Sequence, residues 1–244
     1  VEMLCAYYCE AYDSSPLFND LQIASDDSYK EYLNKFPVIS LDMTNFLTRG
    51  DDNSTIVSRI QSSVIAELNG LYGADYDLTT PLMTVLESIV AKTQQKFIFL
   101  IDEWDAICRE LEDNDRLMND YVNLLRSLFK SSSTPEVFSL VYMTGILPII
   151  KYNTQSALNA FHEYSMVTPG KLAPYIGFTN AEVQTLCEKY GMSYAEMKNW
   201  YDGYNLKGVG SIYNSNSVIT AIDNEKCTGY WTKTAAYDSV SSYI

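Results

Sequence analysis

Lys96-Phe97-Ile98-Phe99-Leu100-Ile101-Asp102-Glu103-Trp104-Asp105 is the stretch whose reading decides the fold. Five consecutive apolar residues, Phe97 to Ile101, run directly into two carboxylates. A β-branched and aromatic run of this length predicts a strand buried on both faces of a parallel sheet. It is too short to cross a bilayer and lacks the polar stripe of a surface helix. Open α/β sheets keep their ligands beyond the carboxyl ends of such strands. Unpaired charge at the end of a buried strand is costly, so Asp102 and Glu103 need a reason. In one reading Asp102 holds a magnesium ion and Glu103 orients a water. In the other the strand simply stops where it meets solvent.

Two similar runs lie on either side. Val38-Ile39-Ser40-Leu41-Asp42-Met43 follows Pro37 and also ends near an acid. Val137-Phe138-Ser139-Leu140-Val141-Tyr142-Met143 ends in Thr144-Gly145, a small polar pair at the same expected edge. Helical patterns separate the runs. Val57, Ile60, Val64, Leu68 and Leu71 recur at helical spacing before Gly73, and Thr80-Pro81 opens a second helix with Leu82, Val85, Leu86, Ile89 and Val90 inward. Asp113 to Lys130 reads as a strongly amphipathic helix through Leu117, Tyr121, Leu124, Leu125 and Leu128. Alternating strands and helices are the pattern of a parallel α/β sheet. Residues 1–12 and 28–36 add two short helices. Thr154 to Phe161 is expected to be a helix and Tyr164-Ser165-Met166-Val167 a last short strand. Further on, Thr179-Asn180-Ala181-Glu182 and Ser193-Tyr194-Ala195-Glu196 both read as capping boxes, so residues 178–225 look like a small helical unit. Trp200-Tyr201-Asp202-Gly203-Tyr204 is expected to end its second helix in a turn.

With 244 residues the chain is long enough for one large or two small domains. A net charge of −14, with a pI near 4.4, argues against nucleic-acid or anionic-membrane binding through this chain alone. The five cysteines are scattered, and with a single histidine, His162, there is no zinc-like spacing. Free thiols of a cytoplasmic protein are the simplest reading. No apolar run reaches membrane length, and no leader is visible.

Hydrolysis of a nucleoside triphosphate on a phosphate loop needs three parts: a Gly-rich loop, an acid holding magnesium, and a group positioning the attacking water. Asp102 fits the metal position as a Walker B acid, and Glu103 fits the catalytic one. Thr144, on the next strand, fits a residue that senses the terminal phosphate. No GxxxxGK[S/T] stands anywhere in the sequence, and Gly208-Val209-Gly210 is a lone glycine pair in the wrong place.

Taken together, Glu2-Met3-Leu4-Cys5-Ala6-Tyr7-Tyr8, Pro37 to Thr44, Leu100-Ile101-Asp102-Glu103-Trp104-Asp105, Met143-Thr144-Gly145, Gly177-Phe178-Thr179, and Trp200 to Tyr204 followed by Tyr213-Asn214 resemble a known family. It is the AAA-ATPase-like family of bacterial proteins, many of which carry a C-terminal PD-(D/E)XK nuclease-like domain. In order and spacing the landmarks span nearly the whole chain. The resemblance implies a P-loop NTPase-like α/β core over residues 1–170 and a helical lid or winged-helix-like subdomain over 171–244. It implies ATP and Mg²⁺ as cofactors of the intact parent. It also implies that the chain starts just after its Walker A loop, without the first strand. In this class that strand lies mid-sheet, so a gap or an improvised pairing is expected between the strand ending at Thr144 and the one near Met166. For this chain alone the expectation is weak or absent turnover.

Arg109 and Arg116 are expected on a solvated helix face, and the 178–225 unit contains no arginine to reach a phosphate. Asp105 is expected to be a cap or a surface acid. Asp42 either faces the nucleotide edge or caps its loop. Two other functions stay open: a non-catalytic module that binds a protein partner, and a hydrolase built on Asp102, Glu103 and Asp105.

Overall fold

Phe97, Ile98, Phe99, Leu100 and Ile101 are each at most 1% exposed. Burial on both faces is what their unbroken apolar run demands, and it puts them in the middle strand of a parallel sheet. The strands are β1 (Val38–Asp42), β2 (Phe97–Asp102) and β3 (Phe138–Met143), in spatial order β1-β2-β3. The computed structural model describes residues 1–47, 53–110, 114–147, 160–206 and 208–230. The chain divides into two compact units, residues 1–162 and 163–244.

In the first unit the register runs from Val38 opposite Ile98 to Asp42 opposite Asp102, and Ile101 lies opposite Met143. All three strands therefore end at one edge. The chain enters through α1 (Glu2–Tyr8), α2 (Ser15–Phe18) and α3 (Tyr29–Tyr32). α1 and α3 are shorter than the sequence pattern suggests. Cys9 leaves the helical path to bridge Phe36, and Asn34, at φ +56°, donates its side-chain amide to the carbonyls of Ala6 and Cys9. Both contacts compete with a further helical turn.

The sheet is covered by α4 (Ile56–Tyr72), α5 (Leu82–Thr93) and, after the short α6 (Ala106–Glu110), by α7 (Asp115–Phe129). Ile60, Val64 and Leu68 of α4, Val85, Leu86 and Ile89 of α5, and Leu117, Tyr121, Leu125 and Leu128 of α7 share one core with β2. Each such side chain contributes roughly 1.5–3 kcal/mol of burial free energy. Local chemistry sets the ends of these helices. Gly73 takes φ +58° after α4, and the Asn114 side chain accepts the Leu117 amide at the start of α7. A single turn, α8 (Thr134–Val137), with Pro135 in its first turn, leads into β3. Phe99 packs edge-on against Phe129 and Phe138, tying β2 to α7 and β3.

Among the described residues β3 pairs only with β2. The strand expected at 164–167 does not form, and the segment is irregular. Its residues are largely exposed, Val167 at 90%, so nothing holds them in a pleat. The helix expected at 154–161 falls largely outside the described residues.

Among the described residues the second unit has three α-helices, α9 (Asn180–Tyr190), α10 (Tyr194–Tyr201) and α11 (Ser215–Asp223), and, beyond the helices that the sequence pattern gives for 178–225, a three-stranded antiparallel sheet. The strands are β4 (Phe178–Thr179), β5 (Asp202–Leu206) and β6 (Gly210–Tyr213), in order β4-β6-β5. The stretch after Trp200 is thus a strand and not a turn. The glycine pair closes this hairpin, with Gly208 at φ +86° and Gly210 at φ +90°. Val183, Cys187, Met197, Tyr213 and Val218 form the unit's own core. The Thr179–Glu182 box is complete, with the Glu182 carboxylate accepting the Thr179 amide at 2.8 Å. At Ser193 only half of a box forms, the serine accepting the Glu196 amide.

Candidate functional site

The shared strand edge brings Asp102, Glu103 and Thr144 together. Asp102 is the last residue of β2, and Thr144 follows the last residue of β3. The Thr144 hydroxyl donates to Asp102 Oδ1. Two backbone bonds hold the strand ends in register: the Thr144 amide donates to the Ile101 carbonyl and the Trp104 amide to the Thr144 carbonyl, each at 2.9 Å. Both Asp102 and Thr144 are half-buried, so the pair keeps a face toward solvent. Asp42 lies opposite Asp102 in the register, but its carboxylate accepts from the Thr44 amide at 2.9 Å and the Thr44 hydroxyl at 2.6 Å. Of its two readings the structure gives the cap.

Glu103 takes φ +51°, a left-handed conformation uncommon for a residue with a side chain. It turns the chain out of β2 and into α6, and the Ala106 amide donates back to its carbonyl at 2.9 Å. Such local strain clusters at functional positions. The Glu103 side chain is 34% exposed.

Asp105 is not a surface acid: it is fully buried, and it accepts from the Ile146 amide at 3.3 Å and the Leu147 amide at 2.9 Å. Arg109 does not lie on a solvated face. Its side chain is 13% exposed, and its guanidinium donates to Asp105 at 3.1 Å and to Glu103 at 2.7 Å. A buried carboxylate needs such partners, because desolvation would otherwise expel its charge. Burial pulls the Arg109 pKa down, yet the hydrogen bond to Glu103 and the nearby charges of Asp105 and Glu103 raise it on balance. The signal in the sequence is the i, i+4 spacing of Asp105 and Arg109, which places both on one helical face. Because Asp105 is spent in this way, a hydrolase with Asp102, Glu103 and Asp105 converging on one substrate does not fit.

The floor beneath the site is buried and hydrogen-bonded. Trp104 is buried, and its carbonyl accepts from the fully buried Tyr121 hydroxyl at 2.7 Å. Burial raises the Tyr121 pKa well above its ordinary value, with Cys108 and Asp105 adding to the effect. Burial likewise pushes the Cys108 thiol up to about 12, which leaves it without nucleophilic character. An open depression of about 480 Å³ lies beside Glu10, Asp13, Tyr29 and Asn34, and it shares no residue with the acid site.

One carboxylate and one hydroxyl are not a self-sufficient metal cage, and among the described residues no group of three His, Cys, Asp or Glu side chains could hold an ion. They do fit Mg²⁺, which takes one or two protein oxygens and completes its shell with water and phosphate. Among the described residues no helix is long and apolar enough to cross a membrane.

No solved structure matches the chain. An uncharacterized protein in the vnfD 5′ region of Azotobacter chroococcum mcd 1 is 24% identical over 148 residues. The match covers 57% of this chain and 27% of that protein, so the chain spans about a quarter of this relative's length. The family model described as a predicted AAA-ATPase matches residues 1–154, which include β1, β2, β3, Asp102, Glu103 and Thr144. The chain therefore belongs to the AAA-ATPase-like family.

Proposed function

We propose that residues 1–162 are the P-loop NTPase-like core of an ATP-hydrolysing protein, with its acids at the carboxyl edge of the sheet. The observation that carries this reading is the Thr144 hydroxyl bonded to Asp102, with Glu103 next in the chain. Family membership supports it. Asp102 would hold a Mg²⁺ ion, which when bound would neutralise charge on the phosphates. Glu103 orients the attacking water and accepts its proton. Arg109 occupies only Glu103 Oε2 and leaves the other oxygen for that task. Thr144 senses the terminal phosphate from the neighbouring strand, its hydroxyl exchanging Asp102 for a phosphate oxygen. The phosphate cradle itself is not supplied by a GxxxxGK[S/T] loop within these 244 residues. The 244 residues alone are accordingly expected to turn over ATP weakly or not at all.

Mg-ATP hydrolysis by the natural protein carrying this sequence tests the reading. Glu103→Gln is expected to lower kcat on the order of 10²-fold or more while leaving nucleotide affinity nearly unchanged. Wild-type turnover in that variant would sink the assignment.

A further inference from the structure

We infer that Arg109 is a positioning residue that ties Glu103 to the loop 144–147, so the glutamate's place depends on the state of the strand end that carries Thr144. The inference rests on the ATPase reading for its catalytic half. Its geometric half stands on hydrogen bonds alone.

The connection runs through four groups. Asp105 spends Oδ1 on the Ile146 amide and Oδ2 on the Leu147 amide. It is fully buried, so losing these donors would strand a charge away from water. A movement of the loop must therefore carry Asp105 with it. Arg109 Nη1 holds Asp105 at 3.1 Å, and Arg109 Nη2 holds Glu103 at 2.7 Å. A guanidinium is planar and stiff, so one nitrogen cannot follow Asp105 without turning the other against Glu103. The loop also has no slack on its inner side. A Cβ placed on Gly145 would come within 2.6 Å of both Asp105 Oδ1 and the Trp104 ring. The Thr144 carbonyl is held by the Trp104 amide at 2.9 Å. A shift of Thr144 against a phosphate thus reaches Glu103 by two routes, the backbone at Trp104 and the Asp105–Arg109 bridge.

Arg109 is placed to do more than neutralise charge. A lysine would supply the charge but not the two-pronged span from Asp105 to Glu103. Misplacing a reacting group by about 1 Å costs on the order of 10²-fold in rate.

The test uses the natural protein carrying this sequence with Mg-ATP as probe, reading kcat and nucleotide Kd separately, alongside amide hydrogen exchange without nucleotide. Arg109→Gln is expected to lower kcat by about 10- to 100-fold with Kd within about twofold, and Arg109→Lys to recover only part of the loss. Glu103→Gln removes the charge at the exposed end of the bridge and keeps the fold, and it is expected to speed exchange of the Ile146 and Leu147 amides severalfold. Wild-type kcat in Arg109→Gln, set against an inactive Glu103→Gln, overturns the inference and leaves the ATPase reading standing. If the wild-type protein hydrolyses no ATP, the ATPase reading fails and exchange alone decides. Unchanged exchange at Ile146 and Leu147 in Glu103→Gln overturns the tie in either case, including one in which Arg109→Gln fails to fold.

Discussion

A single hydrogen atom at position 145 sets how closely the ends of β2 and β3 approach. Gly145 sits where any side chain would meet Asp105 and Trp104, and neither can yield cheaply. Asp105 is pinned by two amides and Arg109, and Trp104 is 4% exposed. Gly145→Ala is therefore expected to destabilise the protein by about 1–3 kcal/mol, read as a lower midpoint in urea unfolding at unchanged slope. An unchanged midpoint would mean that the loop can move away at no cost. At this scale the sequence was only partly legible. Asp102, Glu103 and Thr144 were readable because they stand at the ends of unmistakable strands. Asp105 and Arg109 were not, because a charged residue after a strand defaults to the surface unless its partner is known. Two of the three partners of Asp105 lie 41 and 42 residues away, in a loop whose approach only the folded sheet reveals.

Elements with one strong period were easy to read. β2 is apolar throughout, and α4, α5 and α7 carry clean buried stripes, so their positions follow from the spacing of Leu, Ile and Val. β5 escaped because four of its five residues, Asp202 to Asn205, are exposed, leaving no buried face to impose alternation. Its existence depends on the ladder to β6 and on the left-handed glycines that close the turn. α6 escaped because a five-residue helix presents barely more than one turn of pattern. The opposite case is the start of α9, where local chemistry alone identifies the element. Thr179 and Glu182 satisfy each other's backbone amides there. Thr179→Ala is expected to cost about 1 kcal/mol, and Thr179→Ser much less, both measurable by thermal or denaturant unfolding. Equal loss in the two variants would show that the threonine methyl group, and not its hydroxyl, matters.

For the molecule as a whole, charge is the dominant long-range term. A net charge of −14 repels itself in the folded state more than in the expanded one. Added salt is therefore expected to raise the melting temperature at pH 7, with most of the gain below about 0.2 M NaCl, where the screening length falls beneath roughly 10 Å. A melting temperature that stays flat or falls over that range would show that local ion pairs outweigh the net repulsion. The same charge has a second role at the boundary of the parallel sheet. Among the described residues, β3 has a neighbour on one side only. A strand edge of this kind is a template for pairing with other chains. Mutual repulsion between acidic molecules slows that encounter, and salt removes the repulsion. Thermal stability and colloidal stability are thus set against each other: a buffer chosen to make each molecule harder to unfold also makes it easier for two of them to meet along β3.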